Sequence, residues 1–432
     1  MVYFLKLKVL GNNLSRRISK KEVVEVTMKR LLRISLNTAI FSLIPILSWF
    51  ALGIIVDKNL TNVFTLTYPI QFIWAMMKSI FGTGANISKE KDKNENAVLS
   101  GMTLGIIVGF FVFGFLVINV ESYIKFMNLD VQIYKEFAIY SIIQLYIQLV
   151  FSFVLEKLYF ENKEKLANKY CLTLNILNFV VLVISALIFK NKINIVITTL
   201  LAIFIYVLIV TIKSYRKFKF SINVLNCIKY DSVEIFNSLA FFIIYLFGLS
   251  NALEYGIEFA TALNFVALIT DTQWDVLACI STVSKIDICQ NKFNYKEHRK
   301  NAYKLLAILL AGIILMFIVL FGFYNLNLQI ALIYLSFEIF NFIIYPIYRI
   351  KTCYLQLEWS AIKTTSNKIA TSILRTSMSF LKTPFCTVIG QAVSAVYQFI
   401  TINVIFKKYY KINTKGEIIK IGERIFNESD SY

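Results

Sequence analysis

The sequence predicts an all-α, polytopic membrane protein with twelve transmembrane helices in two pseudo-symmetric lobes of six. Three observations lead there: the composition, the placement of the basic residues, and an echo between the halves of the chain. Of 432 residues, 57% are hydrophobic and 16% charged, and the mean hydropathy is +0.65. Soluble domains carry about a quarter charged residues, so this chain has too little polar surface to coat a soluble particle of its size. Its apolar residues also gather into long runs. About 20 residues at 1.5 Å rise cross about 30 Å of hydrocarbon.

Twelve runs meet that length. In the first half they are Leu31 to Val56, Asn62 to Ile87, Ala97 to Ile118, Val131 to Leu155, Cys171 to Phe189 and Ile193 to Ile212. In the second half they are Val233 to Leu253, Gly256 to Val283, Ala302 to Phe323, Leu328 to Tyr348, Thr365 to Leu381 and Phe385 to Phe406. The eleventh is the most polar, with Lys368, Arg375 and several Ser and Thr. A span of that polarity belongs against a bundle interior or a wet cavity.

The net charge of +19 would suggest nucleic acid in a soluble protein. Here the basic residues follow topology. With both termini and the even-numbered loops cytoplasmic, those segments hold about 36 Lys and Arg against about 6 outside, the pattern expected of cytoplasmic loops. The expected organisation is a cytoplasmic segment 1–30, a first lobe 31–212, a basic linker 213–232, a second lobe 233–406 and a cytoplasmic tail 407–432. The linker carries Lys213, Arg216, Lys217, Lys219 and Lys229. The first 30 residues show no cleavable signal, because Lys6 and Lys8 interrupt the opening apolar stretch. The location expected is a cell membrane, with no nucleic-acid partner and a monomeric state.

Cysteine and histidine chemistry have little material. Six cysteines form no CxxC pair and read as small core residues. His298, the single histidine, falls in a charged loop. No metal, no cofactor and no enzymatic activity are expected.

The two halves echo each other at matching positions. Ile87-Ser88-Lys89 ends the second span and Val283-Ser284-Lys285 ends the eighth. Leu158 to Glu161 follows the fourth span and Leu355 to Glu358 follows the tenth. Asn168-Lys169 and Asn367-Lys368 come next in each half. Repeated halves mark transporters that rock one lobe against the other.

Ionisable groups in the hydrocarbon are costly unless paired, neutralised or wet, which makes them functional candidates. Glu338 lies at the centre of the tenth span. Asp271 and Asp275 stand four apart in the eighth and share one helix face. Two carboxylates that close in low dielectric would not both ionise unless a cation sat between them. Thr270, Thr272, Gln273 and Trp274 surround them, and an aromatic face beside carboxylates suits an organic cation. Asn175 and Asn178 in the fifth span and Arg375 in the eleventh are further cavity candidates. For each, the bland alternative is a hydrogen bond between packed helices. Lys78 reads as a side chain reaching toward the inner interface, and Glu156, Glu161 and Glu358 as loop or gate groups near the cytoplasmic boundary.

This layout resembles the MATE family of multidrug and toxic compound extruders. The resemblance rests on Ser88-Lys89 and Ser284-Lys285 after the second and eighth helices, on Gly82 and Gly84 in the second, and on Pro69. Many relatives bind a coupling cation at a buried Asp in the first helix. None lies within Leu31 to Val56 here, where Asp57 sits only at the outer end. A branch that uses carboxylates of the second lobe, one in the tenth helix, is matched by Glu338. The resemblance implies a secondary transporter exporting amphipathic, often cationic, organic compounds in exchange for H⁺ or Na⁺. Glu338, Asp271 and Asp275 would couple the ion, and Trp274, Gln273, Asn175, Asn178 and Arg375 would line the substrate cavity. The alternative within the superfamily is a flippase for a lipid-linked oligosaccharide or similar lipid, whose cavity would be rich in Arg and Lys. A membrane-embedded enzyme ranks below both.

Overall fold

The computed structural model of the chain describes residues 2–57, 60, 63–126, 130–189, 191–215, 230–231, 233–321 and 327–421, and only the backbone of residues 2–26. Among the described residues, every expected span lies largely in helix. The first half consists of α1 (Val2–Ile55), α2 (Val63–Met77), a π-helical segment (Lys78–Gly84) running into α3 (Ala85–Asp92), α4 (Ala97–Ile118), the short α5 (Val120–Phe126), α6 (Val131–Phe160), α7 (Glu164–Ile188) and α8 (Lys192–Ser214). The second consists of α9 (Val233–Tyr255), α10 (Ile257–Cys289), α11 (Tyr295–Phe321), α12 (Leu328–Glu358), α13 (Ala361–Ser379) and α14 (Cys386–Tyr409).

Among the described residues nine of these helices are long and apolar enough to cross a membrane. The three expected spans outside that set are α2–π–α3, α10 and α13. Their polar residues face inward. On α13, Thr364, Lys368, Thr371, Arg375 and Ser379 are buried while Ile373 is 62% exposed. The spacing of 4, 3, 4 and 4 residues keeps one helix face in line. This helix is thus amphipathic in the reverse sense of a soluble one, with its polar stripe inside and its apolar face outside. Phe110, Phe111 and Phe115 on α4 are also exposed outward, where hydrocarbon rather than water is the compatible solvent.

The packing repeats. In the first half α1 packs on α7, α7 on α8, α8 on α6, and α6 on α4 and α2. In the second, α9 packs on α13, α13 on α14, α14 on α12, and α12 on α11 and α10. Each pairing recurs six long helices later, which is the pseudo-symmetry that the sequence echo predicts. The halves meet along two seams, α1 against α10 and α2 against α9.

Helix α1 runs unbroken from Val2 through the expected segment 1–30 into the first span. The tail carries a β-hairpin, β1 (Tyr410–Ile412) with β2 (Ile418–Lys420), in antiparallel register Tyr410↔Lys420. Its turn passes through Gly416 at φ 86° and is tied to the start of α11 by the Tyr295 N–H to Gly416 carbonyl bond of 3.0 Å. Residues 216–229 and 232 of the expected linker, and 422–432 of the tail, lie outside the described residues.

Candidate functional site

The two seams enclose a central cavity of about 390 Å³, lined by α1, α2, the π segment and α6 on one side and by α9, α10, α12, α13 and α14 on the other. The local reasons for its shape are visible in the sequence. Pro45 in α1 and Pro69 in α2 each remove a backbone donor from a helix facing the cavity. The π segment widens the second span where Lys78, Ser79 and Thr83 reach the cavity wall, and such bulges commonly occur at functional sites. α4 accommodates the widened turn through Gly101, where a Cβ would lie 2.3 Å from the Phe81 carbonyl oxygen.

Four expected site residues line the cavity: Asp271, Trp274, Asp275 and Arg375. Asp275 accepts a 2.7 Å hydrogen bond from Ser42 of α1, across the seam. Asp271 accepts from the Tyr245 hydroxyl of α9 at 3.0 Å. Glu338 lies one layer behind, accepting from the Trp274 indole Nε1 at 2.7 Å. That indole stacks on Phe342 with ring centroids 4.2 Å apart. Asp271 and Asp275 thus share the cavity face of α10, and Glu338 reaches that helix through Trp274.

Three expected cavity residues do not line it, which corrects the sequence reading. Gln273 points away along α10 and donates to the Met316 sulfur of α11. Asn175 and Asn178 are enclosed between α6, α7 and α8. Asn175 donates to the Cys171 carbonyl, and Asn178 accepts from Tyr140 at 2.8 Å. The Asn178 bond joins α7 to α6, whereas the Asn175 bond stays within α7. The period that puts Trp274 inward puts Gln273 about 100° round the helix.

The cavity holds more positive charge than the sequence suggests. Lys78 does not reach the interface but turns inward, 3.4 Å from Glu156 and over the Trp74 ring. Glu156 is correspondingly a cavity residue rather than a loop group. In the second half Arg349 pairs with Glu234 at 2.6 Å, and Lys285 pairs with Asp231. Lys368 and Arg375 add two further cations on α13. Arg375 donates to Ser394 at 3.0 Å and to Asn237 at 3.1 Å, and its guanidinium lies 3.9 Å over the Phe241 ring. Among the described residues neither Lys368 nor Arg375 has a carboxylate within 4 Å.

One end of the cavity, the end that carries the basic loops, is joined by ion pairs. Arg30 of α1 bonds both Asp287 of α10 and Glu164 of α7. Thr27 and His298 also bond Asp287. His298 is not in a loop; it sits buried in the first turn of α11, with Nε2 3.0 Å from the carboxylate. Lys91 of α3 pairs with Glu358 of α12, Ser79 donates to Asp231, and Tyr230 donates to Asp92 at 2.6 Å. The ion pairs Arg30–Asp287 and Lys91–Glu358, which link the halves, both lie at this end. The repeated motif residues diverge here: Lys285 is buried on Asp231, whereas Lys89 is partly exposed beside Glu95.

No protein-family model and no curated protein matches this sequence. Solved structures do match its fold. A MOP superfamily transporter from Pyrococcus furiosus aligns over 89% of this chain and 98% of that one, with 16% identity and TM-score 0.67. Its binding pocket is described as reversed in polarity, suggesting a different function for that protein. A multidrug resistance MATE transporter in the outward-facing conformation aligns over the same shares, with 15% identity and TM-score 0.68. A MATE protein in complex with MaD5 aligns over the same shares with 16% identity and TM-score 0.64. The chain is a multi-pass membrane protein with the fold of MATE transporters of the MOP superfamily.

Proposed function

We propose that this protein is a secondary transporter that moves an amphipathic organic molecule across a cell membrane by alternating access of the central cavity, with proton or Na⁺ uptake at Asp271, Asp275 and Glu338 as the driving step. The observation that carries this reading is the chemistry of those three carboxyl groups beside a cavity shared by both halves. Asp275 and Glu338 take their hydrogen bonds from neutral donors, Ser42 and Trp274, with no basic group within 4 Å among the described residues. A carboxyl group inside the membrane without a contacting basic group is stabilised by binding a proton or a cation.

The geometry supplies a coupling step. Asp275 accepts from Ser42 across the α1–α10 seam. Binding a proton or Na⁺ there changes the acceptor that joins the halves, so ion binding and the arrangement of the halves are linked in free energy. The closed basic end and the repeated six-helix packing fit rocking of one half against the other. In this reading the basic end, with both termini, faces the cytoplasm, and the unit of transport is one chain.

The charge of the substrate is a separate question. A cationic compound could use the aspartates, whereas the cations of α13 favour a lipid-like anion. The test of transport itself is uptake into vesicles containing the purified protein, with imposed proton or Na⁺ gradients and both amphipathic cations and anions as cargo. Gradient-driven uptake lost in Asp275→Asn and Glu338→Gln supports the reading. Uptake indifferent to both gradients, or retained in both variants, overturns the ion coupling.

A further inference from the structure

We infer that the inward face of α13, with Lys368 and Arg375 as its charges, is the seat for the anionic head of the substrate, a phosphate-type oxyanion carried on an apolar tail. The inference rests on the transport reading above and names its substrate class.

Charge balance is the first ground. Four cations of the second half line the cavity: Lys285, Arg349, Lys368 and Arg375. Asp231 and Glu234 hold the first two. Lys368 and Arg375, at 4% and 5% exposure, have no carboxylate within 4 Å among the described residues, and Glu234 and Glu338 act on them only from further away. Two buried cations without a contacting carboxylate are costly in a membrane interior, and an anionic ligand would offset that cost. Arg375 is also held in place by Ser394, Asn237 and the Phe241 ring. A guanidinium fixed by neutral groups keeps its charge and part of its donor fork for a ligand.

Unused hydrogen-bonding groups are the second ground, independent of charge. Asn341 on α12 and Gln398 on α14 line the same cavity at 2% exposure each. Among the described residues, both amide atoms of Asn341 and the Nε2 of Gln398 have no hydrogen-bond partner, and the same holds for the Trp74 indole Nε1. Buried polar atoms are almost always satisfied. These three residues thus leave three amide or indole N–H groups available to a ligand in the cavity that Lys368 and Arg375 also line. That donor surplus suits an oxyanion and offers little to a quaternary ammonium.

Spacing adds to this. Seven residues of α13 separate Lys368 from Arg375, about 10 Å along the axis. Gln398 lies four residues beyond Ser394, the Arg375 partner, toward the basic end. It therefore sits about 6 Å along the axis from the Arg375 level, on the way to Lys368. A phosphate could pass from Lys368 to Arg375 with a donor between them. Aromatic walls formed by Phe72, Phe241 and Tyr345 accept the tail.

The experiment is a binding titration of the full-length protein in nanodiscs of phosphatidylcholine, read by intrinsic tryptophan fluorescence. Three probes are compared: dodecyl phosphate, glycerol 3-phosphate and dodecyltrimethylammonium. Dodecyl phosphate is expected to bind saturably to wild type. Its affinity should fall at least about tenfold in Lys368→Gln and in Arg375→Gln, since a charge-assisted hydrogen bond is lost in each. Lys368→Arg and Arg375→Lys should recover most of it, and these variants keep the test valid should the neutral ones fail to fold. Tight dodecyl phosphate with weak glycerol 3-phosphate identifies a lipid-type phosphate as the source. Equal binding of the two identifies a free organic phosphate. Absence of saturable dodecyl phosphate binding to wild type overturns the seat, as does unchanged affinity in folded neutral variants. Gradient-driven uptake of a cationic cargo together with absent phosphate binding would sink the anion seat while leaving the transport reading standing.

Discussion

Ser42 of α1 donates to Asp275 of α10 at 2.7 Å, and this hydrogen bond crosses between the two halves at the cavity wall. One turn closer to the basic end the same seam repeats, with Thr38 Oγ1 3.1 Å from the Cys279 sulfur. The seam is therefore stitched at two successive turns, and only the first stitch carries a charge-bearing group. Ser42→Ala leaves the carboxylate without this donor. The expected cost is about 1 kcal/mol, the net worth of a hydrogen bond at a half-buried acceptor. Thermal unfolding in detergent measures it. A double-mutant cycle with Asp275→Asn should return a coupling of about 1 kcal/mol or more. Additive single effects would mean that the bond does not join the halves.

The Arg349–Glu234 pair tests a different point. Both side chains are about nine-tenths buried, 2.6 Å apart, and Arg349 also donates to Ser281 at 2.9 Å. Breaking a buried pair from one side strands the other charge, a cost of about 3–5 kcal/mol. Glu234→Gln should therefore lower the unfolding midpoint strongly, and adding Arg349→Met should restore most of the loss. If the double variant is no better than the single, Arg349 is serving the cavity rather than the fold.

Much of this was legible in the sequence, and the rest was hidden for reasons that can be named. Nine of the twelve spans follow from length and apolarity, the three more polar ones from the placement of the basic residues and the echo between halves, and the repeated packing follows from that echo. Asp271 and Asp275 could be placed on one face because helical spacing is fixed. Trp274 joined them, but Gln273 did not, because adjacent residues diverge by about 100° and sequence does not say which side faces in. Asn175 and Asn178 show the same ambiguity, since a buried amide suits a cavity wall and a helix contact equally. Lys368 made the eleventh span one of the most polar, and its place in the cavity was not read from the sequence. Its partners in the buried stripe, Thr364, Thr371 and Arg375, were a usable signal, since their spacing already lines up one face. His298 was misplaced because the α10–α11 turn is shorter than its charge suggests: Asn291 takes φ 55° and the Lys292 N–H reaches the Asp287 carbonyl at 2.8 Å.

Gly101 and Gly114 of α4 make a controlled comparison. A Cβ at Gly101 would meet the Phe81 carbonyl oxygen at 2.3 Å and the Ala85 Cβ at 2.5 Å, whereas one at Gly114 meets nothing within 4 Å. Gly101→Ala must push α4 off the π segment, at a cost of about 1–3 kcal/mol. Gly114→Ala should be neutral or stabilise by up to about 1 kcal/mol, since helical Gly is entropically unfavourable. Melting curves of both variants decide. Equal effects would mean that the π turn does not depend on this close approach.

Asp287 is the hub of the closed end. It is 1% exposed and takes bonds from Arg30, Thr27 and His298, which belong to α1 and α11. Arg30 also holds Glu164 at 2.8 Å, so one guanidinium ties α10 to both α1 and α7. Asp287→Asn removes the charge that opposes Arg30 while keeping the shape, and Asp287→Glu keeps the charge. If this hub holds the end shut, the amide variant loosens it and the glutamate variant largely does not. Cys289 reports on the change, because it lies two residues on, half-buried and free. In a variant lacking the other cysteines, a membrane-impermeant maleimide should label Cys289 several-fold faster in the Asp287→Asn background. Unchanged labelling would mean that the remaining links, Lys91–Glu358 and Ser79–Asp231, suffice to close the end. The same reaction reads orientation: labelling confined to everted vesicles places the basic end in the cytoplasm, and labelling confined to intact cells reverses it.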